Sequence, residues 1–295
     1  MASFTSPLIP RVALATYERA PDLALDDQPL IPALAALGIA AHAVVWSDRS
    51  VEWPSFGAVI VRSCWDYHLH AARFLEWLGT LDAFGVPLWN PSALIRWNAD
   101  KRYLLDLSAR GVATIPTAIV PRGDGAAVQS LAAAEGWSRF VLKPAVSASG
   151  YETYALTAPL DSDARARIER VTAIGDSLVQ PFAPEVPRDG ELSLTFIDGA
   201  FSHATLKRAR AGEFRVQVEH GGSVEHTTVP DAVVKQAAHA IRSLPEQPLY
   251  ARVDGIVRGG TFLLMELELI EPNLFLGSEP GAHDALARAV ANRLL

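Results

Sequence analysis

Asp254, Glu266 and Glu268 are acids whose types and spacing could hold a divalent cation. The stretch LLMELELIEPNLF, residues 263–275, sets two glutamates into an apolar run with the texture of a strand. Residues two apart on a strand point to one side, so Glu266 and Glu268 share a face and Met265, Leu267 and Leu269 take the other. The preceding run YARVDGIV is joined to it through Gly259-Gly260 and carries Arg252 and Asp254 on one face. Antiparallel pairing would bring Asp254 near the glutamates. Hard oxygen donors without His or Cys suit Mg²⁺, which completes its shell with water and phosphate oxygens, and this implies a nucleoside triphosphate. Taken alone, Glu-Leu-Glu would also fit the solvated face of an amphipathic strand; the neighbouring features weigh against that.

In FVLKPAVSASGYET, Lys143 ends an apolar strand, and Ser147, Ser149 and Gly150 form a small-residue loop whose backbone N–H groups could approach phosphates. A solvated lysine beside an ordinary turn is the alternative. SLVQPFAPEVPRDGELSL is an apolar strand followed by a turn presenting Glu185 and Glu191, as a hinge between two lobes would. Its backbone could meet a base edge and a carboxylate the ribose, although a Pro-rich surface loop reads equally well. In VIVRSCWDYH, Arg62 ends a buried strand and is followed by Ser63, Trp65, Asp66 and Tyr67. An arginine there could clamp a carboxylate and Asp66 could meet an ammonium, which suggests an amino-acid-like substrate; an Arg–Asp pair capping the next helix is the alternative. Asn90 adds a polar group at the next strand end.

The elements that must position these groups follow from hydrophobic periodicity. RVALATY, AHAVVW and FGAVIVRS read as strands alternating with helical patterns in PLIPALAALG and from His70 to Phe84, which predicts a parallel, doubly wound α/β domain. Asn98 to Arg110 is predicted as one helix stopped by Gly111. From Thr114 the texture becomes α+β, with short strands around a helix near Gln129 to Glu135. Alternating strands with Asp-Gly and Gly-Gly turns follow, FRVQVEHGG among them, with a helix near Asp231 to Ser243.

Together these residues resemble the ATP-grasp superfamily of ligases, through Asp254, Glu266-Leu-Glu268 running into Pro272, and Arg215-Val-Gln217 followed by Gly221-Gly222. RSCWDY, ELSLTFIDGAFSHA and MELELIEPNLF are similar to the O-ureido-serine cyclo-ligase-like branch, which closes a small ring by internal nucleophilic attack. The resemblance implies an ATP-grasp fold with an N-terminal α/β domain over residues 1–112, a small lobe over 113–182 and a metal-bearing lobe over 183–295, the two α+β lobes clasping ATP. It implies two Mg²⁺ ions, one on Asp254 and Glu266 and one on Glu266 and Glu268. Lys101, Lys143 and Lys207 would meet the phosphates, Gln180 and Phe182 the adenine, and Glu185 the ribose. Gly221 and Gly222 would lie near the transferred group. Arg252 or Arg215 would stabilise an oxyanion. The implied reaction is activation of a carboxylate as an acyl phosphate, then attack by an amine or other nucleophile. A non-catalytic nucleotide binder and a phosphotransferase are the rivals.

The net charge of −7 weighs against nucleic acid or an anionic membrane as partner. No apolar run reaches membrane length and no export signal opens the chain, so a cytoplasmic protein is expected, with a homodimer as the default assembly. The lone Cys64 reads as a small buried hydrophobe, with a catalytic thiol as the alternative.

Overall fold

The computed structural model describes residues 10–294. Three sheets carry the chain. β1 (Arg11–Thr16), β2 (Ala40–Val45), β3 (Ala58–Ser63) and β4 (Leu88–Trp89) form a parallel sheet in the order β2-β1-β3-β4. Because β1 and β3 are buried on both faces, they read as continuous apolar runs. Val12, Leu14 and Ile60 pack toward α1 (Leu30–Ala36), while Ala13, Ala15, Val59 and Val61 pack toward α2 (Ala71–Phe84). The sheet is therefore covered on both sides, as the alternating pattern predicts.

The predicted helix from Asn98 to Arg110 is instead two, α3 (Ser92–Asn98) and α4 (Tyr103–Ala109), with Lys101 in the turn between them. The small lobe is an antiparallel sheet ordered β5-β8-β6-β7, from β5 (Ala118–Val120), β6 (Arg139–Pro144), β7 (Tyr154–Thr157) and β8 (Ser177–Pro181). One face is covered by α5 (Gly125–Ala134) and α6 (Ser162–Ile174), whose residues Val128, Ile168 and Val171 pack against Phe140 and Leu142.

After α7 (Glu185–Asp189), the third sheet runs β11-β10-β9-β12-β13. Its strands are β9 (Glu191–Ile197), β10 (Ala200–Arg208), β11 (Ser223–Thr227), β12 (Tyr250–Arg258) and β13 (Thr261–Glu268). α8 (Asp231–Arg242) packs against β12 and β13. FRVQVEHGG, expected as a strand, is a loop with one short 3₁₀ turn. The last helix, α9 (Ala282–Leu294), packs on α1 and on β9, and its apolar cluster joins the third sheet to the N-terminal domain. No helix among the described residues is long and apolar enough to cross a membrane.

Strand β13 lies at the edge of its sheet, where backbone groups need partners from elsewhere. The Leu264 N–H donates to the Ala113 carbonyl at 2.9 Å, and the Ile115 N–H donates to the Leu264 carbonyl at 2.9 Å. Further along, the Leu267 N–H donates to the Tyr103 hydroxyl at 3.0 Å. The Asn98 amide then donates to the Leu267 carbonyl at 2.8 Å and accepts from the Leu269 N–H at 2.9 Å. Asn90 donates to the Leu269 and Tyr250 carbonyls and accepts from the Leu249 N–H. Side-chain amides thus replace the missing neighbour strand where the acids sit. Asn98→Leu keeps the volume but strands two buried backbone groups, and chemical denaturation is expected to show a loss on the order of 2–4 kcal/mol.

Candidate active site

β12 and β13 pair in a register that places Asp254 opposite Glu266 and Arg252 opposite Glu268. The Gly259-Gly260 turn, with φ of +57° and +82°, closes this hairpin. On the other side of β12, Asp254 pairs with Ser193 of β9, and Lys207 of β10 lies opposite Glu191. Asp254 accepts from the Ser193 hydroxyl at 2.6 Å, Lys207 Nζ at 2.8 Å and the Arg252 guanidinium at 2.9–3.2 Å. Burial opposes its charge, but Arg252 and then Lys207 outweigh burial and hold its carboxyl well below the ordinary range. Its oxygens are met by protein donors, and in this arrangement Asp254 anchors the two cations.

Glu266 and Glu268 are half-buried and line a cavity of about 420 Å³ between the lobes and the N-terminal domain. Glu266 pairs with Lys101 Nζ at 2.9 Å and Glu268 with Arg252. Burial opposes ionisation of Glu266, and Lys101 and Lys143 overcome it, leaving a lowered value. For Glu268, burial dominates; Arg252 opposes it, Asp254 and Glu266 repel, and the carboxyl is pushed up to about 7. Lys143 is held below its ordinary value chiefly by burial, with Glu266 opposing. Lys207 shows the reverse balance: Asp254 and Glu191 outweigh burial and raise it.

The structure brings Lys101, Lys143, Lys207, Arg215 and Arg252 to this one cavity. Lys101 also donates from Nζ to the Ser147 carbonyl, and its N–H donates to the Ala145 carbonyl at 2.9 Å, tying the small-lobe loop to β13. Ser147, Ser149 and Gly150 line the cavity from that loop, which lies against residues 215–220: a Cβ at Gly150 would sit 3.2 Å from His220 Nε2 and 3.3 Å from Arg215 Cδ. Gln180 and Phe182 line the opposite wall. The Arg139 guanidinium stacks 3.6 Å from the Phe182 centroid, and Gln180 donates to Thr117 at 2.9 Å.

Other expected groups lie elsewhere. Glu185 is bound bidentately by Arg258 at 2.8 and 2.9 Å and does not line the cavity; Glu191, which does, pairs with Lys207 at 2.5 Å. The signal for Glu191 is Gly190, whose φ of +98° and would-be Cβ 2.8 Å from the Lys207 carbonyl admit no side chain. Gly221 and Gly222 are outside the cavity lining. A Cβ at Gly222 would fall 2.1 Å from the Val216 carbonyl, so the pair shapes the loop that carries Arg215.

The N-terminal expectations divide. Trp65 lines the cavity. Arg62 is fully buried and pairs with Asp27 at 2.8 Å, not Asp66, while donating to the Pro272 carbonyl at 3.0 Å; Ser63 donates to the same Asp27 at 3.0 Å. Asp66 accepts from the Trp46 indole at 2.9 Å, and Asn90 is spent on the backbone around β12 and β13. These four position the domain junction instead of lining the cavity. Cys64 is buried, and burial pushes its thiol well up, as an inert hydrophobe requires.

Residues that the sequence left unassigned also line the cavity, among them Tyr67, Glu271 and Asn273. Burial, with repulsion from Glu268, pushes the Glu271 carboxyl up to about 8. The native protein then keeps a proton that the unfolded chain releases near its ordinary value, so this contribution is full below that value and lost as pH rises through about 8. Unfolding free energy measured from pH 5 to 8.5 is expected to decline with pH, and Glu271→Gln is expected to flatten that decline.

A family profile described as "D-cycloserine synthetase DcsG, N-terminal domain" matches residues 12–90. The "Cycloserine biosynthesis protein DcsG" of Streptomyces lavendulae is 35% identical over 300 residues, covering 96% of this chain and 98% of the relative. The crystal structure of D-cycloserine synthetase DcsG is similar with a TM-score of 0.88 and 31% identity, over 97% of this chain and 100% of that one. A RimK domain ATP-grasp protein from Sphaerobacter thermophilus shares the fold at a TM-score of 0.69 and 21% identity, over 95% of this chain and 99% of that one. With its ATP-grasp fold and this near-full-length similarity, the chain belongs to the DcsG family of ATP-grasp ligases.

Proposed function

We propose that this enzyme uses ATP and Mg²⁺ to activate the carboxylate of an amino-acid-like small molecule as an acyl phosphate, which a nitrogen of the same molecule then attacks to close a ring. The observation that carries the reading is the set of cations converging on one cavity around Glu266 and Glu268. Such a set suits a polyanion whose charge must be neutralised as a phosphoryl group moves. The ring-closing part is supported by the similarity to a protein named for cycloserine biosynthesis.

Glu266 and Glu268 would hold Mg²⁺. They are oxygen donors two apart on one strand and face the cavity. When bound, the ion would neutralise charge on the transferring phosphate. Lys101, Lys143 and Lys207 would bind phosphate oxygens, Phe182 and Gln180 would flank the base, and Glu191, which lines the same cavity, would be the acid that meets the nucleotide. Arg252, fixed by Asp254 and by the Asn273 carbonyl at 2.8 Å, would stabilise the oxyanion of ring closure. The Ser147 to Gly150 loop would exclude water that otherwise hydrolyses the acyl phosphate.

The test is release of ADP and phosphate with Mg²⁺ against amino acids and O-substituted serines, with products followed by mass. The expected result is substrate-dependent turnover giving a product lighter by one water, reduced at least about 100-fold in Glu266→Ala. A stable phosphorylated product would replace the ligase reading with a phosphotransferase.

A further inference from the structure

The buried and half-buried carboxylates at the cavity are not equally provided for. Glu191 is met by Lys207, Glu266 by Lys101 and Glu268 by Arg252. Glu271 is 8% exposed and lines the same cavity, yet among the described residues it makes no ion pair and no side-chain hydrogen bond to another residue. The donor closest to it is its own backbone N–H. Nor is its position slack. The Trp65 indole donates to the Glu271 carbonyl at 3.1 Å, and Arg62 donates to the Pro272 carbonyl at 3.0 Å, so the backbone is pinned on both sides.

A buried carboxylate without a partner is costly, and such groups either protonate or take a cation. Around Glu271 the wall is aromatic: Trp65 and Tyr67 line it from the N-terminal domain, and Glu271 is the largest charge acting on the Tyr67 hydroxyl. An unpaired carboxylate in an aromatic-lined wall suits a small ammonium, which gains an ion pair with little competition from water. Asp66, the acid that the sequence offered for this task, is held by Trp46 away from the cavity. Lys101 and Arg252 are the cations whose charge acts on Glu271, and each is paired with another acid.

We propose that Glu271, with the Trp65 and Tyr67 rings, is the site that binds the primary ammonium of the substrate and so selects α-amino acids over their deamino counterparts. The proposal rests on the reading of this cavity as a ligase site for an amino-acid-like molecule and adds the group that recognises its nitrogen. The carboxyl keeps a proton up to about 8, and binding of the ligand's ammonium would release that proton to solvent.

The experiment is calorimetric titration of the full chain, with Mg²⁺ and a non-hydrolysable ATP analogue present. The probes are O-ureidoserine, each enantiomer, and the same molecule with hydrogen in place of the α-amino group. Wild type is expected to prefer one amino probe by at least about tenfold. Glu271→Gln is expected to bring that preference below about twofold while leaving affinity for the ATP analogue unchanged, which also reports that the variant is folded. Glu271→Asp, which keeps the charge, is expected to retain part of the preference. An undiminished preference in Glu271→Gln, no preference in wild type, or binding of neither probe overturns the proposal. A Glu271-dependent preference without ADP formation in the turnover assay would overturn the ligase reading and leave the ammonium site standing.

Discussion

Asp254 can be buried only because Arg252 and Lys207 stand on either side of it, and the rest of the site is built outward from that neutralised charge. Its partners come from three adjacent strands: Ser193 from β9, Lys207 from β10 and Arg252 from β12. Each cation then reaches a second acid, Lys207 to Glu191 and Arg252 to Glu268. Charge therefore alternates across the sheet, and a slip of one residue in any strand would face like charges together or bury one alone. The positions of the groups that meet a ligand are as well determined as the sheet itself, which is what electrostatic catalysis needs, since its benefit depends on groups that do not reorganise.

The same economy appears at the edge of β13. An edge strand inside a domain junction would leave unpaired amides, and the chain covers it with Ala113 and Ile115, then Tyr103, Asn98 and Asn90. The strand that carries the acids is thus held by the segment linking the N-terminal domain to the small lobe. Lys101 lies in that segment and touches both the small-lobe loop and Glu266. Movement of the loop is mechanically connected to the strand through one ammonium group.

Much of this was legible before any coordinates. The Gly259-Gly260 turn predicts the antiparallel pairing that sets Asp254 opposite Glu266. What was not legible depends on contacts between distant residues. Arg62 finds Asp27, 35 positions away, and Glu185 finds Arg258, 73 away; no local pattern announces either pair. Phe214 to Gly222 alternates like a strand, but the close approach of Gly222 to the Val216 carbonyl turns it into a loop. α6 was missed although its signals are local: Asp161 caps it by accepting from the Ala164 N–H at 2.7 Å, and Gly175 follows its end. Its many arginines and acids masked a narrow apolar stripe of Ile168 and Val171.

α9 joins two parts of the molecule through one apolar cluster. Leu286, Ala287 and Val290 pack with Val12, Leu14 and Ile60 of the N-terminal sheet and with Ile197 and Tyr250 of the third sheet. Loosening this cluster would therefore loosen both sheets together, so the helix makes them parts of one cooperative unit.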